Sequence, residues 1–463
     1  MKGIKVAVLI AIYSVFMIIG CSKKNASNAS QEPALQDIVI SSNGIYHDMN
    51  TNNYLGIITI DGAGGAIVTF QSSIGGNPSI LAQRIDKNGN ILWGANSAVA
   101  AVPPSYQTYF ESPVITHGCD GGAIIAWFAY SKLCTTQYNC ITYNYIYVQR
   151  LDPNGNALWG ANGISVGSYA SSSNGGSVDM TPGVISDGSC GAIVTWQFVN
   201  GIYAQRINPN GNALWTPNGI TISTTSAGYP KIIPDGSGGA IISYYGLGLK
   251  AQRIDSNGNL MWGPGGITVN PSMGSQVMVT DGKGGAIISF IGSGLKAQRV
   301  DSNGNLMWGP DGTTVSPSMG SQVMATDGKG GAIIAGIIYT NSNVRYVYAQ
   351  HVDANGNVLW QNNGIPLCTA PYGRDNPFIV SDGAGGAIVV WQDYRADPTQ
   401  SYSAIYAQRI MASGALLWEL NGMLISTLPD SLMFPIVTAD PYGNAWIMYW
   451  DNGVILASYV TNH

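Results

Sequence analysis

Short apolar runs alternate along most of the chain with turns rich in Gly, Asn and Asp. A representative stretch reads "QVMVT" (276–280), the turn "DGKGG", "AIISF" (286–290), "LKAQRV" (295–300) and the turn "DSNG". Glycine adopts the positive φ that tight hairpin turns require, and Asn and Gly favour the tips of such turns. The 3.6-residue period of an amphipathic helix is scarcely present. The pattern therefore predicts an all-β protein.

The same unit recurs along the chain. "DGxGGAI" or a variant of it begins eight times, at Asp61, His117, Asp187, Asp235, Asp281, Asp327, Asp382 and Asp440. A turn followed by Leu or Met and then Trp ends seven times, at Trp93, Trp159, Trp215, Trp262, Trp308, Trp360 and Trp418. Four antiparallel strands in a unit of about 45 residues are the signature of a β-propeller blade. We predict a propeller of eight four-stranded blades, with seven blades as the alternative.

The two ends of the repeated region predict how the ring closes. The last unit stops at His463 before any Leu-Trp strand, while an isolated extended segment, "QDIVIS" (36–41), precedes the first complete unit. We expect this segment to supply the missing outer strand of the last blade, because pairing the chain ends removes an exposed sheet edge. The propeller domain is predicted to span residues 37–463.

The N-terminus has the features of a secretion signal. Lys2 and Lys5 precede an apolar run (6–19) that is shorter than the ~20 apolar residues needed to span a bilayer. The sequence "IIGC" (18–21) resembles the lipobox of bacterial lipoproteins, which implies removal of residues 1–20 and lipidation of Cys21. A polar tether (21–36) follows. We expect a lipid-anchored protein of the cell envelope, on the periplasmic or surface side of an outer membrane; an ordinary secretory signal and an uncleaved anchor helix are the alternatives.

The charge composition limits the classes of partner that we expect. The formal net charge is −5 and only 10% of the residues are charged. Without a basic cluster, the chain lacks the patches that neutralise phosphates, so we expect no nucleic-acid partner. Five cysteines remain besides Cys21, and Cys134 and Cys140 lie in one loop. We predict a disulfide between these two in an oxidising compartment, with reduced thiols as the alternative.

Two resemblances support the fold. The stretch "DSNGNLMW" (255–262) resembles the tryptophan-docking motif of quinoprotein-type propellers, and all seven copies keep the four-residue spacing from Gly to Trp. The resemblance implies that each indole packs between neighbouring blades. The fuller pattern "DGxGGAIVxW … IYAQRI … LW" is similar to a repeat of secreted bacterial lipoprotein propellers, most of them uncharacterised. It implies a fold and no particular activity, because one fold serves many functions.

Positions that break the repeat are the better candidates for a functional site, because a residue needed in every blade serves the structure. The repeated arginines are expected to pair with turn aspartates or backbone carbonyls. The loops joining the second and third strands are long in the second, sixth and seventh units, at 130–144, 339–346 and 393–403. They emerge on the same face as the links between blades, and we name it the long-loop face.

Candidate ligand-binding residues lie on the long-loop face, where aromatic rings and planar polar groups suit a sugar or a peptide. They are Arg345, Arg374, Asp375, Asp393, Tyr394, Arg395, Tyr138 and Tyr143. A plainer interpretation is that Asp393 and Arg395 only pair with each other to order their own loop.

A binding or scaffolding module for a protein or glycan is the function we favour from sequence. The first alternative is a glycan-active hydrolase or lyase that uses the face of blades six and seven, with Asp375 and Asp393 as its carboxylates. Resemblance to lipoprotein propellers of outer-membrane protein assembly implies a second alternative, an envelope assembly scaffold. Zinc-ligand spacings, a nucleophile elbow and a phosphate loop are missing from the sequence, so we expect no metal, no cofactor and no catalytic residues.

Overall fold

The apolar runs of each unit form strands that pair antiparallel, because the glycine turns between them reverse the chain. In a computed structural model, the described residues are 37–41, 57–74, 77–94, 97–102, 108–136, 139–172, 181–198, 201–224, 227–272, 274–340, 344–397, 399–426, 432–451 and 454–462. They belong to the unit Ala34–Asn462. The predicted signal peptide, Cys21 and the tether lie outside them. Within these ranges, no helix is long and apolar enough to cross a membrane.

Blades 1 to 4 each pair their strands in chain order. Strand β1 (Ile38–Ser41) precedes them. The strands of these blades are β2 (Ile58–Ile60), β3 (Ala66–Ile74), β4 (Asn77–Ile85) and β5 (Ala98–Ala101); β6 (Thr108–His117), β7 (Ala123–Thr136), β8 (Asn139–Leu151) and β9 (Ile164–Ser172); β10 (Gly183–Ser186), β11 (Ala192–Phe198), β12 (Gly201–Ile207) and β13 (Ile220–Ser223); and β14 (Gly228–Pro234), β15 (Ala240–Gly246), β16 (Gly248–Ile254) and β17 (Ile267–Asn270).

Blades 5 to 7 repeat that order, and blade 8 differs in its outer strand. Their strands are β18 (Gln276–Thr280), β19 (Ala286–Gly292), β20 (Gly294–Val300) and β21 (Thr313–Ser316); β22 (Met319–Thr326), β23 (Ala332–Tyr339), β24 (Arg345–Val352) and β25 (Ile365–Cys368); β26 (Arg374–Ser381), β27 (Ala387–Asp393), β28 (Ala404–Ile410) and β29 (Met423–Leu424); and β30 (Met433–Ala439), β31 (Ala445–Asp451) and β32 (Val454–Val460).

Eight four-stranded sheets in a ring confirm the eight-bladed propeller over the seven-bladed alternative. Strand β1 pairs antiparallel with β32, with Ile38 opposite Ala457, so the N-terminal segment closes the last blade as expected. The residues before each repeated Trp form only an isolated bridge, such as Val300 with Leu306, and the fourth strand begins several residues later.

The core consists of apolar layers between neighbouring blades. One layer joins Ile241 and Leu249 of blade 4 to Met278 and Ile288 of blade 5. Such layers form because both faces of a blade pack against the adjacent sheets, which explains why the second strands are continuous apolar runs rather than alternating ones. The chain buries little charge in these layers, so its polar groups are concentrated in turns and at the two faces.

A repeated contact, which we call the clasp, holds adjacent blades together at the turn after each third strand. In blade 3, Arg206 donates through Nε and Nη2 to Asp187 at 3.0 and 2.9 Å. Its Nη1 donates to the carbonyl oxygen of Ser256 in blade 4 at 2.9 Å, and Trp215 Nε1 donates to the same oxygen at 3.3 Å. The indole lies against Gly258, whose φ is +90° and whose added Cβ would lie 3.0 Å from the ring. The indole of Trp215 therefore packs between blades 3 and 4.

The repeated arginines pair with turn aspartates throughout, as expected from their recurrence. Six blades show the ion pair: Arg84 with Asp61, Arg150 with Asp120, Arg206 with Asp187, Arg253 with Asp235, Arg299 with Asp281, and Arg409 with Asp382. In blade 6, His351 takes the place of the arginine and lies 3.0 Å from Asp327.

Candidate functional site

The predicted residues of blade 7 form a buried ion-pair cluster. Arg374 is fully buried, and its Nε donates to Asp393 Oδ2 at 3.2 Å. Arg395 Nη2 donates to the same oxygen at 2.6 Å and to the carbonyl of Asn421 at 2.7 Å. Burial opposes ionisation of Asp393, but the hydrogen bond and charge of Arg395 and the charge of Arg374 outweigh it and hold the pKa of Asp393 below its ordinary value.

This cluster orders its own loop, which is the plainer of the two interpretations of Asp393 and Arg395. Trp391 Nε1 also donates to Asp393 at 2.8 Å, and the Arg395 guanidinium lies 3.7 Å from the ring centroid of Tyr406. Arg374 and Asp393 therefore lie beneath the surface, where a ligand could not contact them without breaking the ion pairs. A direct ligand-binding role for these two residues stays a prediction.

A second group, the rim cluster, joins blades 6 and 7 at the long-loop face. Arg345 Nη1 donates to Asp375 Oδ1 at 2.8 Å, and Nη2 donates to Gln400 Oε1 at 2.6 Å. The guanidinium lies 5.9 Å from the ring centroid of Tyr394. The side chains of Arg345 and Asp375 are 24% and 30% exposed, so both are accessible. Burial raises the pKa of Asp375, and Arg345 offsets only part of that rise.

The tyrosine loop predicted in blade 2 is mostly not a loop. Residues 130–136 and 139–144 extend strands β7 and β8, with Ser131 opposite Tyr143 and Leu133 opposite Ile141. Strand β9 follows β8 outward to Ser172. The backbone polar groups of this segment pair in a ladder, which satisfies them better than an irregular loop would. Tyr143 is partly buried in this sheet, away from the rim cluster, and Tyr138 lies outside the described residues.

Two disulfides occur among the described cysteines. Cys134 and Cys140 are joined near the tip of the β7–β8 hairpin, and Cys119 and Cys190 join the first turns of blades 2 and 3 across 71 residues. Cys368 is free and buried. Sequence reasoning missed the second disulfide, although its cysteines lie in the same turn of consecutive units. That shared position was the available signal.

Sequence reasoning also missed a cavity of about 340 Å³ where the central channel opens on the long-loop face. The starts of the inner strands of blades 4 to 8 line it, and Asp375 of the rim cluster forms part of its wall. Five inner strands carry a bulge near their start with a non-glycine residue at positive φ: Ser112, Tyr229, Ser321, Asn376 and Phe434. Ser321, Asn376 and Phe434 line the cavity. Because the bulge recurs in five blades, it belongs to the repeated structure of the inner strands.

Exposed tyrosines surround the rim cluster and the cavity. Tyr229 is 57% exposed at the bulge of β14, and Tyr339 is 55% exposed at the end of β23. Tyr372 precedes β26 and Tyr402 lies in the blade 7 loop; they are 37% and 60% exposed. Rings that stay accessible next to planar polar groups provide flat surfaces against which sugar rings pack.

Comparisons with known proteins identify no family. No known family model matches the chain, and no curated protein matches it. Solved structures with some similarity include polysaccharide lyase Uly1, with TM-score 0.45 and 8% identity over 93% of this chain and 100% of that one. The NanB sialidase from Streptococcus pneumoniae has TM-score 0.32 and 10% identity over 92% of this chain and 70% of that one. Oligopeptidase B from Leishmania major has TM-score 0.41 and 8% identity over 91% and 54%. At these values we draw nothing about activity from them.

Proposed function

We propose that this protein is a lipid-anchored binding module of the cell envelope that takes a glycan on its long-loop face. The rim cluster carries the proposal, because Arg345, Asp375 and Tyr394 meet there from two blades and are only partly buried. Guanidinium and carboxylate groups form directional hydrogen bonds with hydroxyls, and the neighbouring tyrosines add ring surface. Lipid on Cys21 would hold the propeller at a membrane, and two disulfides suit an oxidising compartment.

Binding is favoured over glycan hydrolysis by the state of the two carboxylates. Asp393 is 2% exposed and accepts from two arginines and an indole, so its lone pairs are occupied. A glycosidase needs both carboxyl groups free to face the scissile bond. Asp375 is partly exposed, but it is paired with Arg345, so neither of these two carboxyl groups is free.

A protein-binding or assembly role is the second candidate, and the β7–β8 hairpin supports it. Leu133 and Ile141 near the hairpin tip are 56% and 41% exposed, and Tyr109 on the adjacent strand is 40% exposed. Apolar side chains that cluster on an extended sheet suit a protein partner better than a sugar.

The test uses soluble protein beginning at Ser22, with polysaccharides and envelope proteins as ligands. Affinity electrophoresis against neutral and acidic polysaccharides is run beside a pull-down from envelope extract. We expect retardation by at least one polysaccharide, and loss of about tenfold in affinity in the double variant Arg345→Ala, Tyr402→Ala. The control is Tyr442→Ala, which removes a 78% exposed ring on the opposite face.

Each result has a defined meaning. Retardation that persists in the folded double variant contradicts a site at the rim cluster. Capture of an envelope protein that depends on Leu133 and Ile141, without any polysaccharide binding, supports the second candidate instead. The absence of any ligand would contradict the binding function itself.

A further inference from the structure

Two consecutive blades differ from the others where the channel opens. The residue just after the bulge position is Gln276 in blade 5 and Gln322 in blade 6. In the other blades whose described residues include this position it is proline: Pro113, Pro182, Pro230, Pro377 and Pro435. Proline has no N–H donor and no polar side chain. Among the described residues at this strand position, only those of blades 5 and 6 therefore carry a side chain that can form hydrogen bonds in the cavity wall.

In each of the two glutamines, the amide nitrogen has a hydrogen-bond partner and the amide oxygen has none. Gln276 Nε2 donates to the carbonyl of Tyr229 at 3.1 Å, and Gln322 Nε2 donates to the carbonyl of Ser275 at 2.7 Å. A carbonyl acceptor requires the amide nitrogen on its side, so these contacts determine which atom of each amide is the oxygen.

The remaining oxygens have no partner. Oε1 of both glutamines is buried without a hydrogen bond within the described structure, and the side chains are only 6% and 4% exposed. Both residues line the cavity. A buried acceptor left unpaired costs about 1–3 kcal/mol, so two in one cavity call for an explanation.

Other side chains in the cavity wall restrict the charge of a ligand that would donate hydrogen bonds to these oxygens. Lys231 lies at a strand position that is apolar or glycine in blades 2, 3, 5, 6, 7 and 8, and it faces the same cavity as Asp375. The wall holds one ammonium and one carboxylate, and the carboxylate is already paired with Arg345. The carboxamide oxygens repel anions, and Lys231 repels cations. Met278, Val323 and Phe434 complete an apolar wall.

We propose that this channel mouth is a subsite for the terminal residue of a neutral glycan, whose hydroxyl groups donate to Gln276 Oε1 and Gln322 Oε1. The inference rests on the proposed function and adds the ligand's charge and its mode of entry. A cavity of about 340 Å³ lies at the small end of the range for small-molecule sites, so it admits a chain end and excludes a continuous polymer. The rest of the chain leaves past Tyr229 and the rim cluster.

The experiment measures binding of free monosaccharides by saturation-transfer difference NMR. The probes are neutral hexoses, pentoses and N-acetylhexosamines, each beside its uronic-acid or amino-sugar counterpart and beside neutral dipeptide amides. The test variant is Gln276→Met, Gln322→Met, which keeps side-chain volume and removes both acceptors. The matched control is Gln71→Met, because Gln71 Oε1 is also buried without a partner but does not line this cavity.

We expect a neutral sugar to bind the wild type and the Gln71 variant, and its affinity to fall at least tenfold in the double variant. Binding is measured well below the melting temperature of the double variant, because the substitutions also remove the Nε2 hydrogen bonds to Tyr229 and Ser275 and should lower that temperature. A double variant that melts lower yet binds the sugar unchanged shows that the glutamines only join blades, and this overturns the subsite. Preference for a charged sugar or a dipeptide amide overturns the ligand class. If polysaccharide binding depends on Arg345 but not on the glutamines, the subsite fails and the proposed function stands.

Discussion

The seam between blades 6 and 7 lacks part of the clasp, and restoring it should stabilise the propeller. In blade 5, Arg299 makes two bonds to Asp281, at 3.0 and 2.9 Å, and one at 3.1 Å to the carbonyl of Ala354 in the next blade. In blade 6, His351 makes a single bond at 3.0 Å to Asp327. His351 Nδ1 and Trp360 Nε1 are both buried without a partner in the described structure.

The substitution His351→Arg supplies the missing contacts. The carbonyl of Ala412 occupies the repeat position that Ala354 occupies one blade earlier, so it is the acceptor that an arginine would reach. A hydrogen bond from a charged donor contributes about 1.5–3 kcal/mol, and the lost imidazole contact offsets part of that. We expect a net gain of about 1–2 kcal/mol in the free energy of unfolding.

The gain converts to a small but measurable shift in melting temperature. An unfolding entropy of about 2.1 cal/mol/K per residue over the roughly 430 residues of Ala34–Asn462 amounts to about 0.9 kcal/mol/K. One kcal/mol therefore shifts the melting temperature by about 1 °C. Calorimetry of the protein beginning at Ser22 should show a rise of about 1–2 °C, and the indole N–H of Trp360 should exchange more slowly with solvent.

The reciprocal change Arg299→His in blade 5 is the control, because it converts an intact clasp into the blade 6 arrangement. We expect it to lower the melting temperature by at least as much as His351→Arg raises it. If His351→Arg leaves stability unchanged or lowers it while Arg299→His is destabilising, our account of the incomplete seam is wrong. If neither variant changes stability, the clasp contributes nothing measurable.

Three further predictions concern stability. Asp393→Asn leaves buried arginines without a counter-charge and should cost about 3–5 kcal/mol in the free energy of unfolding, measured with urea. The pKa of Asp393 is lowered in the fold, so its stabilising effect is present above the ordinary value of 3.8 and is lost as pH falls through the folded pKa. The difference in stability between variant and wild type should therefore shrink at that low pH. Replacing Cys119 and Cys190 by Ser opens a 71-residue loop and should cost about 4 kcal/mol, with equal stability of the two proteins counting against the disulfide. Gly258→Ala should destabilise by about 2–3 kcal/mol, more than Gly263→Ala, because Gly263 also has a positive φ but has open space around it; equal losses would show that indole packing is unimportant.

Sequence reasoning predicted strands, turns and closure well, because these depend on short-range features. One unit of about 45 residues contains the alternating strand pattern and the glycine turns, and this unit then repeats along the chain. Counting units therefore predicted eight blades, and the unmatched segment 36–41 predicted the strand that completes the last blade. The same reasoning mistook residues 130–144 for a loop, since Tyr and Thr suit both a strand and an exposed loop.

The candidate site was predicted only in part. The long-loop face and the meeting of Arg345 with Asp375 across 30 residues follow from blade order. The burial of Arg374 and Asp393 does not, because burial depends on which neighbouring side chains cover them. Gln276 and Gln322 belong to a stretch that occurs twice, and recurrence argued against a functional role for such residues.

The sequence by itself determined the fold class, the blade number and the way the ring closes, because backbone sterics and hydrophobic period act between near neighbours in the chain. The tertiary structure decided which polar groups remain accessible, which disulfide joins blades 2 and 3, and which glutamines with unpaired amide oxygens line a cavity. These depend on side chains from different blades meeting around the channel, and that meeting exists only when the whole ring has packed.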